Sequence, residues 1–490
     1  MKSFLTSLKP GLTATLAFLL VFSTLVALPV LSAAIPDTVR QELKRVGIPE
    51  EAIGIYVKDV NAKRPMLAVN SKMALNPASV MKLVTTYAGL ELLGPAYSWR
   101  TEIYALGKVE DGVLHGDLAI KGYGDPHLNL ENFWLLVRQI RQTGLKKITG
   151  DLILDTSYYN VAAGDPGAFD GDRYKTYNVF PEAILVNYRA SALHLMPQAD
   201  NNSVRVVVDP ASDLLDLQNN LKLTRNHCGD WRNQLSIDVR KQKGNNDRMT
   251  VILNGDYSSQ CGQNTYHMSL YENSVYVHDL FKKLWGQQGG SFRGAVRNGM
   301  VPAGISPLRV YQSPPLADII RGINKFSNNV AARQLYLALG ETAISPNGTA
   351  SVSPDQADMA IKRWLFAKRL NFSDLVVENG SGLSRKERIS AYQMGELLVT
   401  AFLSPVMPEF ISSLAIAGVD GTMKNRFRGG LVAGKAHMKT GTLNEVSAIA
   451  GYLLDHKDRR IVVVFFVNHP QAGNARSAMD ALISWVYERA

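Results

Sequence analysis

The sequence predicts a mixed α/β fold (α+β): an antiparallel sheet flanked by helices, with a β-rich insertion in the middle of the chain. Three observations carry that expectation. Segments that alternate apolar and polar residues stand near both ends, at Ile53 to Val60, Met66 to Asn70, Ala433 to Thr442, Ser447 to Leu454 and Arg460 to Asn468. Apolar runs with helical spacing accompany them. From Trp99 the texture changes to short β-branched runs broken by glycine, and Tyr177 to Cys261 is mostly short strands and polar turns.

Taken in order, Ala34 to Gly47 is a short helical pattern, and the turn at Asn61 to Arg64 joins the first two strands. Asn76 to Leu93 reads as a helix, with Asn76 a good cap, Pro77 suited to the first position and Gly94 the stop. Strands follow at Arg100 to Leu106 and Val113 to Lys121, then a helix from Asn129 to Thr143 leading into a strand that ends at Asp155. A Gly-Asn-Asn-Asp turn is expected at Gly244 to Asp247. After Pro302 helices return, at Leu316 to Asn324, Val330 to Leu339, Ser353 to Leu370 and Ser390 to Phe402. The turn His456 to Arg459 joins the last two strands, and a helix from Ala475 to Glu488 closes the chain. No internal repeat or low-complexity tract is visible.

At 490 residues the chain has room for two or three domains, and its 46% hydrophobic and 20% charged content is ordinary for a globular protein. The first 34 residues look like a secretory signal, with Lys2 and Lys9, an apolar stretch from Leu12 to Val30, and small residues at Ser32 to Ala34. Retained, the apolar stretch is long enough to act as an anchor. The formal net charge of +10 falls to +8 without Lys2 and Lys9, and its scattered basic residues lack the runs of a nucleic-acid arm. Cys228 and Cys261 suit one disulfide in an exported protein, the alternative being two free buried thiols.

The chemistry is concentrated in three short stretches. Ser79 stands in the first turn of its helix, where unpaired backbone N–H groups and the helix dipole favour negative charge on an oxygen. Lys82 follows three residues later on the same face and is the only charge between Lys72 and Glu91. A desolvated lysine has a lowered pKa and can accept a serine proton; a solvated lysine after an ordinary serine is the bland alternative. Ser327-Asn328-Asn329 falls between two apolar helices, as a cap or as polar groups aimed into a cleft. Lys439-Thr440-Gly441-Thr442 ends an alternating segment. Its cation, hydroxyls and bare backbone suit a substrate carboxylate lying along an edge strand, or else a surface hairpin.

Ser-x-x-Lys, Ser-x-Asn and Lys-Thr-Gly in this order form the active-site signature of penicillin-binding proteins and serine β-lactamases. The wide gap between Ser79 and Ser327 resembles the class C low-molecular-mass penicillin-binding proteins, the D-alanyl-D-alanine carboxypeptidase/endopeptidase family of peptidase S13. Similar to the same family are Gly122 to Pro126, Ser313 to Leu316, Asn379 to Arg385 and Gly418 to Thr422. Val80, Met81 and Thr442 depart from common choices without removing a catalytic atom.

The resemblance implies a transpeptidase-like domain with a five-stranded antiparallel sheet, from residues 35–98 and 305–490. It implies an inserted second domain (99–176 and 265–304) and a nested β-rich third domain (177–264). It implies that Ser79 attacks the carbonyl between two D-alanines, Lys82 takes its proton, Ser327 relays a proton to the leaving amine and Asn329 orients the acyl chain. Lys439, with Thr440, Gly441 and Thr442, would hold the terminal carboxylate. The backbone N–H groups of Ser79 and Thr442 would form the oxyanion hole. Asp155 resembles the acid that in relatives faces the amino group of a diaminopimelate side chain; the alternative is a turn-initiating aspartate before Thr156.

The expected partners are peptidoglycan muropeptides, with β-lactam antibiotics as covalent inhibitors, in the periplasm or cell envelope. No cofactor, metal or nucleic acid is expected: the nine histidines show no metal-ligand spacing, and His437 reads as a strand residue. Peripheral membrane association and oligomeric state are left open. A serine β-lactamase and an inactive cell-wall scaffold are the rival readings. The first lacks a Glu-x-x-Leu-Asn stretch between Ser327 and Lys439, and the second must explain three chemically complete motifs.

Overall fold

The computed structural model describes residues 34–489 apart from 199, 201, 243, 244 and 344–350. Except for Ala34, the expected leader lies outside the described residues, as does Gly244 of the expected turn.

A six-stranded antiparallel sheet organises the fold, in the order Ala415–Ile416, Ala436–Leu443, Val446–Leu454, Arg460–Asn468, Ile53–Asp59, Leu67–Val69. It thus joins the two ends of the chain, pairing Ile53 with Val467 and Ile55 with Phe465. Five strands were expected; the sixth, Ala415–Ile416, has two residues, too few to show any alternation in sequence.

Both sheet faces are buried, and strand periodicity sorts the side chains between them. Val463, Phe465 and Val467 pack with Val39, Leu43, Leu482 and Ile483 of the first and last helices, Asp37–Arg45 and Arg476–Arg489. Val462, Val464 and Phe466 face a helical layer that includes Lys82–Leu92, Leu316–Lys325, Asn329–Leu339 and Ala391–Phe402. Within that layer Lys82–Leu92 is central, buried from Lys82 through Leu90. Gly89 admits a close approach, since a Cβ there would lie 3.1 Å from a methyl of Leu335.

The insertion is built on a seven-stranded sheet that includes Arg100–Glu110, Val113–Gly122 and Leu152–Asp155. Helices Leu130–Gln142 and Asn273–Gln287 bury Phe133, Leu136, Phe281 and Trp285 in its core. Two three-stranded sheets within residues 191–268 share that core through Leu193, Val251 and Leu253. Strand Arg309–Gln312 pairs with Arg100 to Ile103, so the insertion's sheet reaches beyond the boundary expected at residue 304. A four-residue strand is placed by its partner, which sequence does not reveal. Cys228 and Cys261 are joined in a disulfide within the insertion. Among the described residues no helix is long and apolar enough to cross a membrane.

Candidate active site

The helix start at Ser79 is tighter than its sequence suggests. Asn76 accepts the Ala78 N–H through Oδ1 at 2.9 Å, and its amide donates to the Ser384 carbonyl at 2.8 Å. Ala78 then takes a φ of +45°, and Ala78–Met81 form a 3₁₀ turn before the α-helix begins at Lys82. A left-handed non-glycine residue costs about 1–2 kcal/mol and persists where surrounding contacts enforce it. Here two glycines enclose the turn. A Cβ on Gly382 would lie 2.0 Å from the Ala78 carbonyl oxygen and 2.6 Å from the Ser79 nitrogen; one on Gly441 would lie 2.9 Å from the same nitrogen. Strand Ala436–Leu443, beyond the end of its short outer neighbour, and the 378–384 loop therefore touch the nucleophile's backbone from two directions.

Ser79 is half-buried and opens into a cavity of about 800 Å³ that Ser327 and Asn329 also line. Lys82 lies beneath it, fully buried. Its Nζ is 2.9 Å from Ser79 Oγ and 2.6 Å from Asn329 Oδ1, and it also donates to the Ser381 carbonyl. A neutral amine has two N–H bonds and one lone pair. With Asn329 and Ser381 taking the two protons, the lone pair remains for the Ser79 O–H. Burial, and next the nearby Lys439 ammonium, hold Lys82 well below the usual lysine range; Glu387 opposes them.

Ser-x-Asn is positioned by division of labour. Asn328, the middle residue, caps helix Asn329–Leu339 by accepting the Ala331 N–H at 3.0 Å, which answers the cap alternative and frees its neighbours. Ser327 has a φ of +58° and accepts from Lys439 Nζ at 2.9 Å. Lys439 also donates to its neighbour's carbonyl, Thr440 O, at 2.6 Å, and burial pushes its pKa down to about 7. Thr440 Oγ1 bonds Thr422 Oγ1 at 2.9 Å, while Thr442 is exposed on the same strand. Two hydrogen-bonded sets, Ser79–Lys82–Asn329 and Ser327–Lys439, are thus drawn from three remote segments, with Ser79, Ser327 and Asn329 lining one cavity.

Asp155 is not brought to either set. Its side chain is completely buried at the end of its strand in the insertion. Oδ1 accepts the Ser157 N–H and O–H at 3.1 and 2.6 Å, Oδ2 accepts the Val301 N–H at 2.9 Å, and Lys121 Nζ is 3.5 Å away. Burial alone would raise its pKa, but these bonds outweigh it and hold the carboxyl below the usual range. The geometry matches the turn-forming alternative.

Sequence reasoning missed the layer beneath Lys82. Glu387 is fully buried, and its Oε1 accepts the N–H groups of Glu378, Asn379 and Gly380 at 3.2 to 3.3 Å, so it clamps the loop that presents Ser381 O to Lys82. Burial pushes its carboxyl up to about 7. The two glycines around Ser381 signalled a tight turn but gave no role for it. Gly382, at a φ of +81°, makes the loop's contact with Ser79 testable. Gly382→Ala is expected to displace the nucleophile and slow benzylpenicillin acylation about a hundredfold, because misplacements near 1 Å cost that much. Stopped-flow measurement of the acylation rate checks it.

Comparison with known proteins identifies the family and the fold. A family model described as the D-Ala-D-Ala carboxypeptidase 3 (S13) family matches residues 36–487. The chain is 24% identical over 435 residues to "D-alanyl-D-alanine carboxypeptidase DacB" of Haemophilus influenzae, covering 88% of each chain. It is 28% identical over 446 residues to a "D-alanyl-D-alanine carboxypeptidase" of Actinomadura sp., covering 88% of this chain and 80% of the other. The fold is that of penicillin binding protein 4 (dacB) from Haemophilus influenzae, with a TM-score of 0.73 at 22% identity over 92% of this chain and 99% of that one. That protein's structure is also known in complex with a β-lactam. On the match of the family model to nearly all of the described residues, this chain belongs to the D-Ala-D-Ala carboxypeptidase 3 (S13) family.

Proposed function

We propose that this protein is a serine D-alanyl-D-alanine carboxypeptidase and endopeptidase acting on peptidoglycan stem peptides and their cross-links. The observation that carries the reading is the Lys82 amine, buried and proton-poor, 2.9 Å from a Ser79 hydroxyl that opens into a cavity. That pair is an activated nucleophile.

In the proposed reaction Lys82 takes the Ser79 proton as Oγ attacks the carbonyl between two D-alanines. Negative charge on the carbonyl oxygen is met by the backbone N–H groups of Ser79 and Thr442, each such donor being worth about 3 kcal/mol in the transition state. Lys439 supplies positive potential for the terminal carboxylate, which Thr440 and Thr442 hold along their strand. The Lys439–Ser327 hydrogen bond orients Ser327 to pass a proton to the departing amine. Asn329, its oxygen turned to Lys82, keeps its amide N–H groups for the acyl chain. Water then hydrolyses the acyl-enzyme.

An extracytoplasmic, periplasmic workplace fits the same reading. The basic-then-apolar first 34 residues and the Cys228–Cys261 disulfide support it. β-Lactams would acylate Ser79 as substrate mimics.

Mass spectrometry of products from a pentapeptide muropeptide and a cross-linked dimer tests the activity. Release of D-alanine from the first and scission of the second are expected. Rapid turnover of benzylpenicillin instead of a lasting Ser79 adduct would favour a β-lactamase. Binding of cell wall with no product from either substrate would favour a scaffold.

A further inference from the structure

On the reading of the site given above, we infer that Phe326 and Tyr177 grip the strand that leaves when a cross-link is cut, and so select cross-linked substrate over free stems. The cavity at Ser79 is far larger than a departing D-alanine requires. Its volume of about 800 Å³ lies in the range that encloses ligands of many more atoms. It extends on the Ser327 side of the nucleophile, where the leaving amine collects its proton, and one wall comes from the insertion.

Two large aromatic side chains at this cavity are exposed. Phe326, immediately before Ser327, is 73% exposed, and Tyr177 on the insertion is 38% exposed. Both have backbones held in place. Ser327 is fixed at a φ of +58°, and Tyr177 occupies a 3₁₀ turn, its hydroxyl donating to Asp170 Oδ2 at 2.8 Å while Asn178 donates to Asp170 Oδ1 at 2.8 Å. Aromatic side chains, Phe and Tyr among them, are enriched where proteins contact partners.

The cavity also has somewhere to lead. It adjoins a second one of about 820 Å³ between helices Leu130–Gln142 and Asn273–Gln287. Leu130, Asn187, His194 and Asp209 border both. A peptide strand leaving past Ser327 would therefore run along the insertion, whereas a single amino acid would not reach it.

Both substrates undergo the same exchange of bonds. The Ser79 Oγ–carbon bond forms, the carbon–nitrogen bond breaks, and the serine proton is balanced by one delivered to that nitrogen. Water then splits the ester, restoring the Ser79 O–H and releasing the acid. The nitrogen belongs to D-alanine in one case and to a residue of a second peptide strand in the other. Only the second touches Phe326 and Tyr177.

The test is kcat/KM for a cross-linked muropeptide dimer and for a pentapeptide monomer, in the wild type, F326S and the F326S/Y177S double variant. Cross-link scission is expected to fall about tenfold or more in the double variant, with F326S intermediate, while D-alanine release stays within about twofold. Equal losses on both substrates, or undiminished scission in both variants, would overturn the inference. Since Phe326 is largely exposed, F326S gives a folded reference if the double variant misfolds, and benzylpenicillin labelling reports that the site is intact. A wild type inactive on both substrates would instead overturn the functional reading itself.

Discussion

Ser79→Ala is expected to abolish covalent labelling by penicillin while leaving the fold intact. The hydroxyl is the only atom lost, and Ser79 is only half-buried, so neither core nor turn depends on it. The loop and strand that shape the turn touch its backbone through Gly382 and Gly441, and those contacts survive the change. Activity on a pentapeptide should drop roughly a millionfold, as removal of a nucleophile typically does. Intact-mass spectrometry after incubation with benzylpenicillin reads the outcome. An adduct on the variant would assign the nucleophile elsewhere.

Lys82→Met should slow acylation by about a hundredfold to ten thousandfold, the usual contribution of a general base. Methionine approximates the buried volume without the amine, so unchanged thermal unfolding alongside lost acylation would separate chemistry from packing.

On the proposed mechanism, the wild-type pH dependence follows from two buried lysines whose pKa values both fall on folding. Lys82 must be neutral to accept the proton, so the second-order acylation rate rises as pH climbs through its strongly depressed pKa. Lys439 must be charged to attract the carboxylate, so the rate declines as pH passes about 7. The groups acting on Lys82 are Lys439, Glu387 and Arg333, with like charge lowering its pKa and Glu387 raising it. Lys439→Gln should lower the plateau and remove the alkaline decline, which a pH series of acylation rates would check.

The motifs were legible because each needs only a few neighbours in sequence. Ser79 and Lys82 share one helical turn, Ser327 and Asn329 flank a capping residue, and Lys439 lies on a strand whose alternation is plain. What escaped depends on remote partners or on backbone. Glu387 acts by holding three N–H groups, and Ser381 acts through its carbonyl, which every residue possesses. Helix Asn273–Gln287 also went unread. Its Val275, Tyr276 and Val277 favour strands by local preference, and burial of Tyr276, Val277, Phe281 and Trp285 overrides them. Asp155, which the sequence left between an acid facing a diaminopimelate amine and a turn-forming aspartate, has its oxygens taken up by Ser157 and by the backbone N–H of Val301, a partner remote in sequence.

The pairing of Ile53–Asp59 with Arg460–Asn468 carries a consequence for biosynthesis. Synthesis delivers the nucleophile early and its cationic strand near the end, and the sheet that unites them closes only when the last strands emerge. A nascent or prematurely terminated chain therefore holds a serine with no carboxylate-binding edge beside it. On the proposed function, this order of synthesis would keep a wall-cutting enzyme inert until translation is almost finished.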